Sequence, residues 1–218
     1  MRTFAILPVK TFANAKQRLN EGLETGRRSV IAEAMYSDVL IALRRARRVD
    51  EILVITADDR AAQIAGGYGV SVLIDQERGH NTAAAAGVLA AGRAKADRAL
   101  LVPGDCPLLD PSEVDSLIGR DPAPAAVIVP DRHGTGTNAL LLTPPDSLDP
   151  TFGLDSCARH QTNAARLGVA SEVVEVPSLA LDIDTPDDLE LLHATLESIH
   201  GRAAHTRGAL RQLLRSRA

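Results

Sequence analysis

The sequence is poor in aromatic residues and in cysteine, and each shortage argues against a class of function. Only 2% of the 218 residues are aromatic and none is Trp, so stacking of bases on aromatic side chains is not expected to organise a site. The two cysteines, Cys106 and Cys157, provide neither a disulfide framework nor the spacing of a metal site. We therefore expect free thiols and a cytoplasmic protein.

Long apolar runs and an excess of positive charge are also absent. No apolar stretch approaches the roughly 20 residues needed to span a bilayer, and the start MRTFAILPVK has too short an apolar stretch for a secretory signal. A formal net charge of −4 argues against bulk electrostatic binding to nucleic acid or to an anionic membrane. With 45% hydrophobic and 24% charged residues, the composition is typical of one globular domain.

Apolar runs alternate with helical patterns along the chain. Ile31, Met35, Val39 and Leu43 recur every fourth residue and predict a helix over 27–48. Further helices are predicted after residue 56, over 81–95, over 154–167 and from 186. The predicted strands cover 4–9, 51–56, 70–75, 99–105, 125–130, 138–143 and 172–176. This alternation predicts an α/β fold, a single domain with a mixed, mostly parallel sheet and helices on both faces.

The predicted domain covers residues 1–200, and residues 201–218 form a basic tail. The tail holds five arginines and no acidic residue. We expect a solvated or frayed helix there, with a subunit or nucleotide contact as the alternative.

Basic residues cluster after the first predicted strand. Lysine occurs only at positions 10, 16 and 95, and Lys10, Lys16 and Arg18 follow that strand closely. The segment has neither the G-x-G-x-x-G nor the GK[ST] pattern. Because ligands of open α/β sheets bind beyond the carboxyl ends of strands, we expect these cations to bind nucleotide phosphates. A solvated basic loop is the alternative.

Acidic residues follow two other apolar segments. Asp105 ends the strand predicted over 99–105, and Asp182 and Asp184 have the spacing that puts side chains on one face of a strand. Neighbouring carboxylates repel each other unless a cation lies between them, and oxygen ligands favour Mg²⁺. The sequence therefore predicts a magnesium site built from three carboxylates, with a solvated acidic turn as the alternative.

Other polar residues have helix-capping patterns. Asp110 precedes Pro111, and Thr185 precedes Pro186 in the same way, so both are predicted to begin helices. Asn81, at the start of the helix over 81–95, is suited either to cap that helix or to hydrogen-bond the edge of a base.

Two glycine-containing segments have the character of an anion pocket. Residues 132–138 (RHGTGTN) are rich in backbone donors, and residues 152–156 (FGLDS) allow a helix to begin near Gly153 with a serine hydroxyl close by. Either segment alone is also compatible with an ordinary turn.

No Ser-His-Asp or Cys-His order is evident, and His133 is not expected to act as a base. The remaining histidines are interpreted as surface residues: His160, His193, His200 and His205.

Six motifs in order resemble one enzyme family. LPVK, AKQRL, GDCPLLD, GTGTNALLL, FGLDSCARH and DIDTPDDL are similar to the guanylyltransferases of deazaflavin coenzyme F(420) biosynthesis, over about residues 3–192. The resemblance implies the type-A glycosyltransferase-like fold, which also contains the molybdenum-cofactor guanylyltransferases.

The resemblance also implies roles for individual residues. The family's magnesium ligands correspond to Asp105, Asp182 and Asp184. Its contacts to a small phosphorylated acid correspond to Thr137, Gly153 and Ser156. Lys16 is similar to the cation that assists the leaving pyrophosphate, and Lys10, Arg18 and Asn81 complete the expected nucleotide contacts. One departure is His80, where the family pattern has an apolar residue between Gly79 and Asn81.

The implied reaction transfers GMP from GTP to the phosphate of phosphoenolpyruvate or 2-phospho-L-lactate, with Mg²⁺ as cofactor. The substrate phosphate is already an anion, so no protein nucleophile or general base is required. The alternatives are guanylyl or cytidylyl transfer to a molybdenum pterin, a sugar transferase and a non-catalytic nucleotide-binding regulator. The sequence leaves open whether the chain forms a homodimer.

Overall fold

The computed structural model describes residues 1–14, 19, 25–76, 79–120 and 124–215. Its strands are β1 (Thr3–Val9), β2 (Glu51–Thr56), β3 (Ser71–Ile74), β4 (Arg98–Leu101), β5 (Ala126–Pro130), β6 (Thr137–Leu142) and β7 (Ser171–Val173). They form one sheet in the order β3-β2-β1-β4-β6-β5-β7. Strand β6 is antiparallel to β4 and β5, and the other pairs are parallel. The predicted mixed, mostly parallel sheet is confirmed.

Helices cover both faces of the sheet, as predicted. They are α1 (Thr25–Arg45), α2 (Asp59–Gly67), α3 (His80–Arg93), α4 (Pro111–Ile118), α5 (Ser156–Leu167), α6 (Pro186–Ser198) and α7 (Ala204–Arg215). Residues of α1, α2 and α4 pack on one face, and residues of α3 and α5 pack on the other. Consecutive β1 residues Ile6 and Leu7 contribute to opposite cores, as the two-residue period of a strand requires. Within the described ranges no helix is both long and apolar enough to cross a membrane.

The reversed direction of β6 determines where the polar segments meet. Leu140 of β6 pairs with Leu101, the last residue of β4. Because the two strands are antiparallel, the first residues of β6 lie at the edge of the sheet where β4 ends. Thr137 and Asn138 are therefore brought beside the loop that carries Asp105.

The two predicted helix starts are confirmed. The Asp110 carboxylate accepts a hydrogen bond from the Ser112 N–H at 2.8 Å, and Pro111 occupies the first turn of α4. At α6, the Thr185 hydroxyl and the Asp188 carboxylate form a reciprocal capping box. These caps fix the direction in which each helix leaves its acidic loop.

The C-terminal segment is packed, and the expectation of a solvated or frayed helix is wrong. Thr206 is fully buried in α7, and α7 packs along α1. The Asp38 carboxylate of α1 accepts hydrogen bonds from the N–H groups of His205 and Thr206, at 3.1 and 2.8 Å, and from the Thr206 hydroxyl at 2.7 Å. Apolar residues recur along α7 at helical spacing, Ala209 and Leu210 among them, and pack inward, while Arg211 and Arg215 are exposed.

We predict that Asp38→Ala lowers the free energy of unfolding by about 2 kcal/mol, because two buried donors and one part-buried donor at the start of α7 lose a charged acceptor. Urea unfolding of the variant and the wild type measures the difference. The exposed Glu197 of α6 provides the control variant Glu197→Ala, which should leave the unfolding midpoint unchanged. Equal stability of Asp38→Ala and wild type would contradict this role of Asp38.

Candidate active site

A cavity of about 510 Å³ opens at the edge of the sheet where β1 and β4 end and β6 begins. Six of the residues singled out from the sequence line it: Lys10, Asp105, Thr137, Gly153, Asp182 and Asp184. Lys10 and Asp105 follow β1 and β4, and Thr137 begins the antiparallel β6, so the predicted convergence at strand ends is observed for these three. Gly153, Asp182 and Asp184 reach the cavity from the loops before α5 and α6.

The two acidic segments are held together by their backbones. The Ile183 N–H donates to the Asp105 carbonyl oxygen at 3.3 Å. The buried amide of Asn138 donates to the Leu179 carbonyl at 2.7 Å and to the Asp182 carboxylate at 3.1 Å. The Asp182 side chain is thus oriented by a residue of β6.

Charge repulsion among the carboxylates is visible in the pKa of Asp182. Burial, followed by the charge of Asp105 and more weakly that of Asp184, raises the pKa of the Asp182 carboxyl. The hydrogen bond from Asn138 acts in the opposite direction. The free protein therefore keeps like charges close together, which is typical of a functional site and unfavourable for stability.

The chemistry of this donor set fits Mg²⁺. Asp105, Asp182 and Asp184 offer oxygen ligands only, the type that Mg²⁺ prefers. Among the described residues, however, no three His, Cys, Asp or Glu side chains form a ready-made metal cluster. Mg²⁺ commonly takes one or two carboxylates and completes its shell with waters and substrate phosphates, so an open acidic edge is compatible with it.

The loop before β6 is organised around Asp131. Its carboxylate accepts hydrogen bonds from the N–H groups of His133, Thr135 and Gly136, at 3.1, 3.0 and 3.0 Å. A Cβ at Gly136 would lie 2.6 Å from an Asp131 carboxylate oxygen, so only glycine allows this approach. The loop delivers Thr137 to the cavity wall.

The loop before α5 is held by Asn81. The Phe152 N–H donates to the Asn81 amide oxygen at 2.7 Å, and the Asn81 amide nitrogen donates to the Phe152 carbonyl at 3.1 Å. Gly153 follows with φ of 113°, a backbone conformation that favours glycine. Helix α3 begins at His80 with Gly79 as its N-cap, so the expectation that Asn81 caps this helix is wrong. The expected contact of Asn81 to a base remains a prediction.

His160 is fully buried, and its interpretation as a surface residue is wrong. Its Nδ1 lies 3.0 Å from the Thr137 hydroxyl oxygen, and its Nε2 accepts a hydrogen bond from the Thr151 N–H at 2.9 Å. Burial, with a smaller effect of the Arg159 charge, lowers the pKa of His160 to about 4. The imidazole is therefore neutral at physiological pH.

The cationic side of the cavity is described only in part. Lys10 is exposed at the rim, and His80 lines the same wall with its ring edge against Phe152. Burial, followed by the charge of Lys10, lowers the pKa of His80, and the charge of Asp105 opposes this effect. Lys16 and Arg18 lie outside the described residues, so their expected phosphate contacts remain predictions.

Two residues of interest do not line the cavity. Ser156 is 1% exposed and begins α5, where its N–H donates to the Gly153 carbonyl at 3.1 Å. Cys106 is fully buried beside Asp105, and its thiol contacts the Leu179 carbonyl at 3.7 Å. A buried thiol in this position packs in the core.

Sequence reasoning missed the roles of Asn138 and His160. Asn138 is a polar residue near the start of an otherwise apolar strand, and that contrast is a signal for a buried partner. His160 lies on α5 between Cys157 and Ala164 at spacings of three and four residues. All three are buried, so the helical period indicated an inward-facing imidazole.

Comparison with known proteins shows the family of this chain. The family model described as "Guanylyl transferase CofC like" matches residues 3–216. The chain belongs to this guanylyltransferase family. It is 54% identical to the phosphoenolpyruvate guanylyltransferase of Conexibacter woesei, over 99% of this chain and 98% of that protein. It is 36% identical to the 3-phospho-D-glycerate guanylyltransferase of Colwellia psychrerythraea, over 88% of this chain and 91% of that protein.

Solved structures agree with the fold. A protein from Desulfovibrio desulfuricans G20, provisionally named a nucleotide-diphospho-sugar transferase, superposes with a TM-score of 0.79 at 18% identity. The match covers 97% of this chain and 95% of that one. The expected glycosyltransferase-like architecture of this guanylyltransferase is thereby confirmed, and the chain is an enzyme of the nucleotidyltransferase class.

We predict that Asp182→Asn stabilises the metal-free protein by roughly 1 kcal/mol, the usual size for one stabilising substitution. A carboxyl whose pKa is raised in the folded state costs stability once it ionises, so the gain should be largest at neutral pH. It should shrink as the pH falls through the pKa of Asp182. Thermal unfolding across pH in a chelator measures this, with the exposed Asp146→Asn as control. A destabilised variant at neutral pH would contradict it.

Proposed function

We propose that this enzyme transfers GMP from GTP to the phosphate of phosphoenolpyruvate in the cytoplasm, as a step of coenzyme F(420) biosynthesis. The observation that carries the proposal is the single cavity in which Asp105, Asp182 and Asp184 meet Thr137 and Gly153. The Conexibacter relative, at 54% identity, supports phosphoenolpyruvate as the preferred acid. 2-Phospho-L-lactate and 3-phospho-D-glycerate are the competing substrates.

In the proposed reaction, a phosphate oxygen of phosphoenolpyruvate attacks the α-phosphorus of GTP. A new P–O bond forms there while the bond from the α-phosphorus to the oxygen bridging to the β-phosphorus breaks. Pyrophosphate leaves with the electron pair of that bond, and the product is a guanosine diphosphate diester of enolpyruvate. The attacking oxygen is already ionised at neutral pH, so no side chain has to remove a proton.

The main obstacle is repulsion between two polyanions. Two unit charges 4 Å apart repel by about 4 kcal/mol at an effective dielectric near 20, and several such pairs are involved. When bound, Mg²⁺ would screen these charges and stabilise the charge that develops on the leaving group. Asp105, Asp182 and Asp184 would hold it, and Asn138 orients the Asp182 carboxylate for that task.

The remaining residues of the cavity would bind the acid and the phosphates. The Thr137 hydroxyl and the backbone of Gly153 offer hydrogen bonds to a small anion, and Ser156 lies directly behind them at the start of α5. Lys10 at the rim, with Lys16 and Arg18, would meet the phosphates of GTP. Lys16 would neutralise the departing pyrophosphate.

Pyrophosphate release tests the proposal. The protein is incubated with GTP and Mg²⁺ in parallel with phosphoenolpyruvate, 2-phospho-L-lactate, 3-phospho-D-glycerate and a molybdenum pterin. We expect the fastest release with phosphoenolpyruvate, and mass spectrometry should show the guanosine diphosphate diester. Release only with the pterin, or binding of GTP without release in any of the four reactions, would overturn it.

We further predict that Asp105→Ala, Asp182→Ala and Asp184→Ala each lower turnover by roughly three powers of ten, because each removes an oxygen ligand from the proposed metal. Circular dichroism should show an unchanged fold. The exposed Asp146→Ala, which removes a carboxylate far from the cavity lining, is the matched control. Wild-type turnover in any of the three variants would refute the assignment of that residue.

A further inference from the structure

The imidazole of His160 joins the two segments that form the acid-binding wall. Its Nδ1 lies 3.0 Å from the Thr137 hydroxyl oxygen at the start of β6. Its Nε2 lies 2.9 Å from the backbone nitrogen of Thr151, two residues before Gly153. The ring itself is fully buried and does not line the cavity.

These contacts determine which nitrogen of His160 carries the proton. A backbone N–H can only donate, so the Nε2 that receives the Thr151 N–H is unprotonated. A neutral imidazole then carries its proton on Nδ1, which faces the Thr137 hydroxyl oxygen and the Ser156 backbone. In an imidazolium, Nε2 would also carry a proton, so two N–H donors would face each other at the Thr151 contact. Burial disfavours the charged form as well.

The tautomer fixes the role of Thr137. The Nδ1–H faces both the Thr137 oxygen and the Ser156 backbone. In its contact with a protonated Nδ1 the Thr137 oxygen can only accept, so its own proton has to be donated in another direction. Thr137 lines the cavity, so the open direction leads to the anion-binding space. A hydroxyl used as a donor suits a phosphate or a carboxylate, which can only accept.

Neighbouring contacts make the arrangement rigid. The Phe152 ring lies edge-on between the rings of His80 and His160, with centroid distances of 5.3 and 5.4 Å. Asn81 holds both polar groups of the Phe152 backbone. Arg159 donates to the Thr151 carbonyl at 2.9 Å. The buried imidazole therefore links Thr137 to a loop that these contacts already hold in place.

We propose that His160 is a positioning residue that fixes the Thr137 hydroxyl as a hydrogen-bond donor to the phosphorylated acid and holds the Gly153 loop at the matching distance. The proposal rests on the proposed function for the identity of the acid. His160 does not touch the reacting atoms, so its effect falls on binding of the acid and leaves the GTP side of the cavity unchanged.

Nitrogen NMR of isotopically labelled histidines tests the tautomer without any turnover. The His160 signals of the wild type, assigned with His160→Asn, should show a neutral ring protonated on Nδ1 at neutral pH. Thr137→Val should shift the Nδ1 signal, since it removes the partner of that proton. A ring protonated on Nε2, a charged ring, or an Nδ1 signal insensitive to Thr137→Val would overturn the proposal.

Steady-state kinetics test the consequence. His160→Gln keeps an acceptor for the Thr151 N–H and loses the donor to Thr137. We expect about a tenfold rise in KM for phosphoenolpyruvate, the effect of one misdirected hydrogen bond, with KM for GTP nearly unchanged. His160→Asn keeps an N–H near the Nδ1 position but loses the acceptor for the Thr151 N–H, so it should recover only part of the loss. The exposed His200→Gln is the matched control.

A double variant shows whether His160 acts through Thr137. In the Thr137→Val background the hydroxyl is gone, so adding His160→Gln should raise KM for phosphoenolpyruvate little further. Fully additive effects, an unchanged KM in His160→Gln, or an equal rise in KM for GTP would overturn the inference. If His160→Gln fails to fold, the His160→Asn kinetics and the wild-type tautomer decide. A wild type that releases no pyrophosphate with any acid instead refutes the proposed function, while the tautomer measurement still stands.

Discussion

The site depends on one electrostatic constraint, the confinement of several carboxylates at one edge of the sheet. Burial and the neighbouring charges oppose ionisation of Asp182, so the acidic segments have to be held in place by the rest of the fold. The Ile183 N–H bonds to the Asp105 carbonyl, and Arg132 pairs with Asp188 at 2.6 Å. The capping box of α6 then fixes the chain that follows. Backbone hydrogen bonds, an ion pair and a helix cap thus hold the acidic segments together against the repulsion of their carboxylates.

Much of this edge could be predicted because it follows from local rules. Asp105 follows the apolar strand β4, so the carboxyl-end rule for open sheets was sufficient to place it. Asp182 and Asp184 were predicted from strand spacing, but they lie in the loop before α6 and not on a strand. The Ile183 N–H bond to the Asp105 carbonyl brings them to the same edge. The caps at Asp110 and Thr185 were predicted from a polar residue followed by proline. The boundaries of β4 differ because the strand ends at Leu101, before Pro103, which has no N–H for the ladder.

The features that could not be predicted depend on contacts between residues far apart in the sequence. His160 contacts Thr137, which lies 23 positions earlier in the chain, and Phe152 contacts Asn81, which lies 71 positions earlier. No local pattern specifies such partners, although the helical period around His160 indicated that it faces inward. The same holds for α7, where the burial of Thr206 depends on Asp38, 168 positions earlier in the chain. From its composition alone, a segment with five arginines and no acidic residue is expected to be solvated. Its apolar residues are buried only because α1 offers a surface for them to pack against.

The antiparallel strand β6 has a consequence for how enzymes of this family can diversify. Thr137 lines the cavity, and the next residue, Asn138, donates to the Asp182 carboxylate. An insertion or deletion inside β6 would exchange these two positions, so the strand tolerates little change. The loops over 131–136 and 151–155 lie outside β6, so changes in their length leave the register of the strand unaltered. New substrate preferences are therefore expected to arise from these two loops and not from changes in the length of β6.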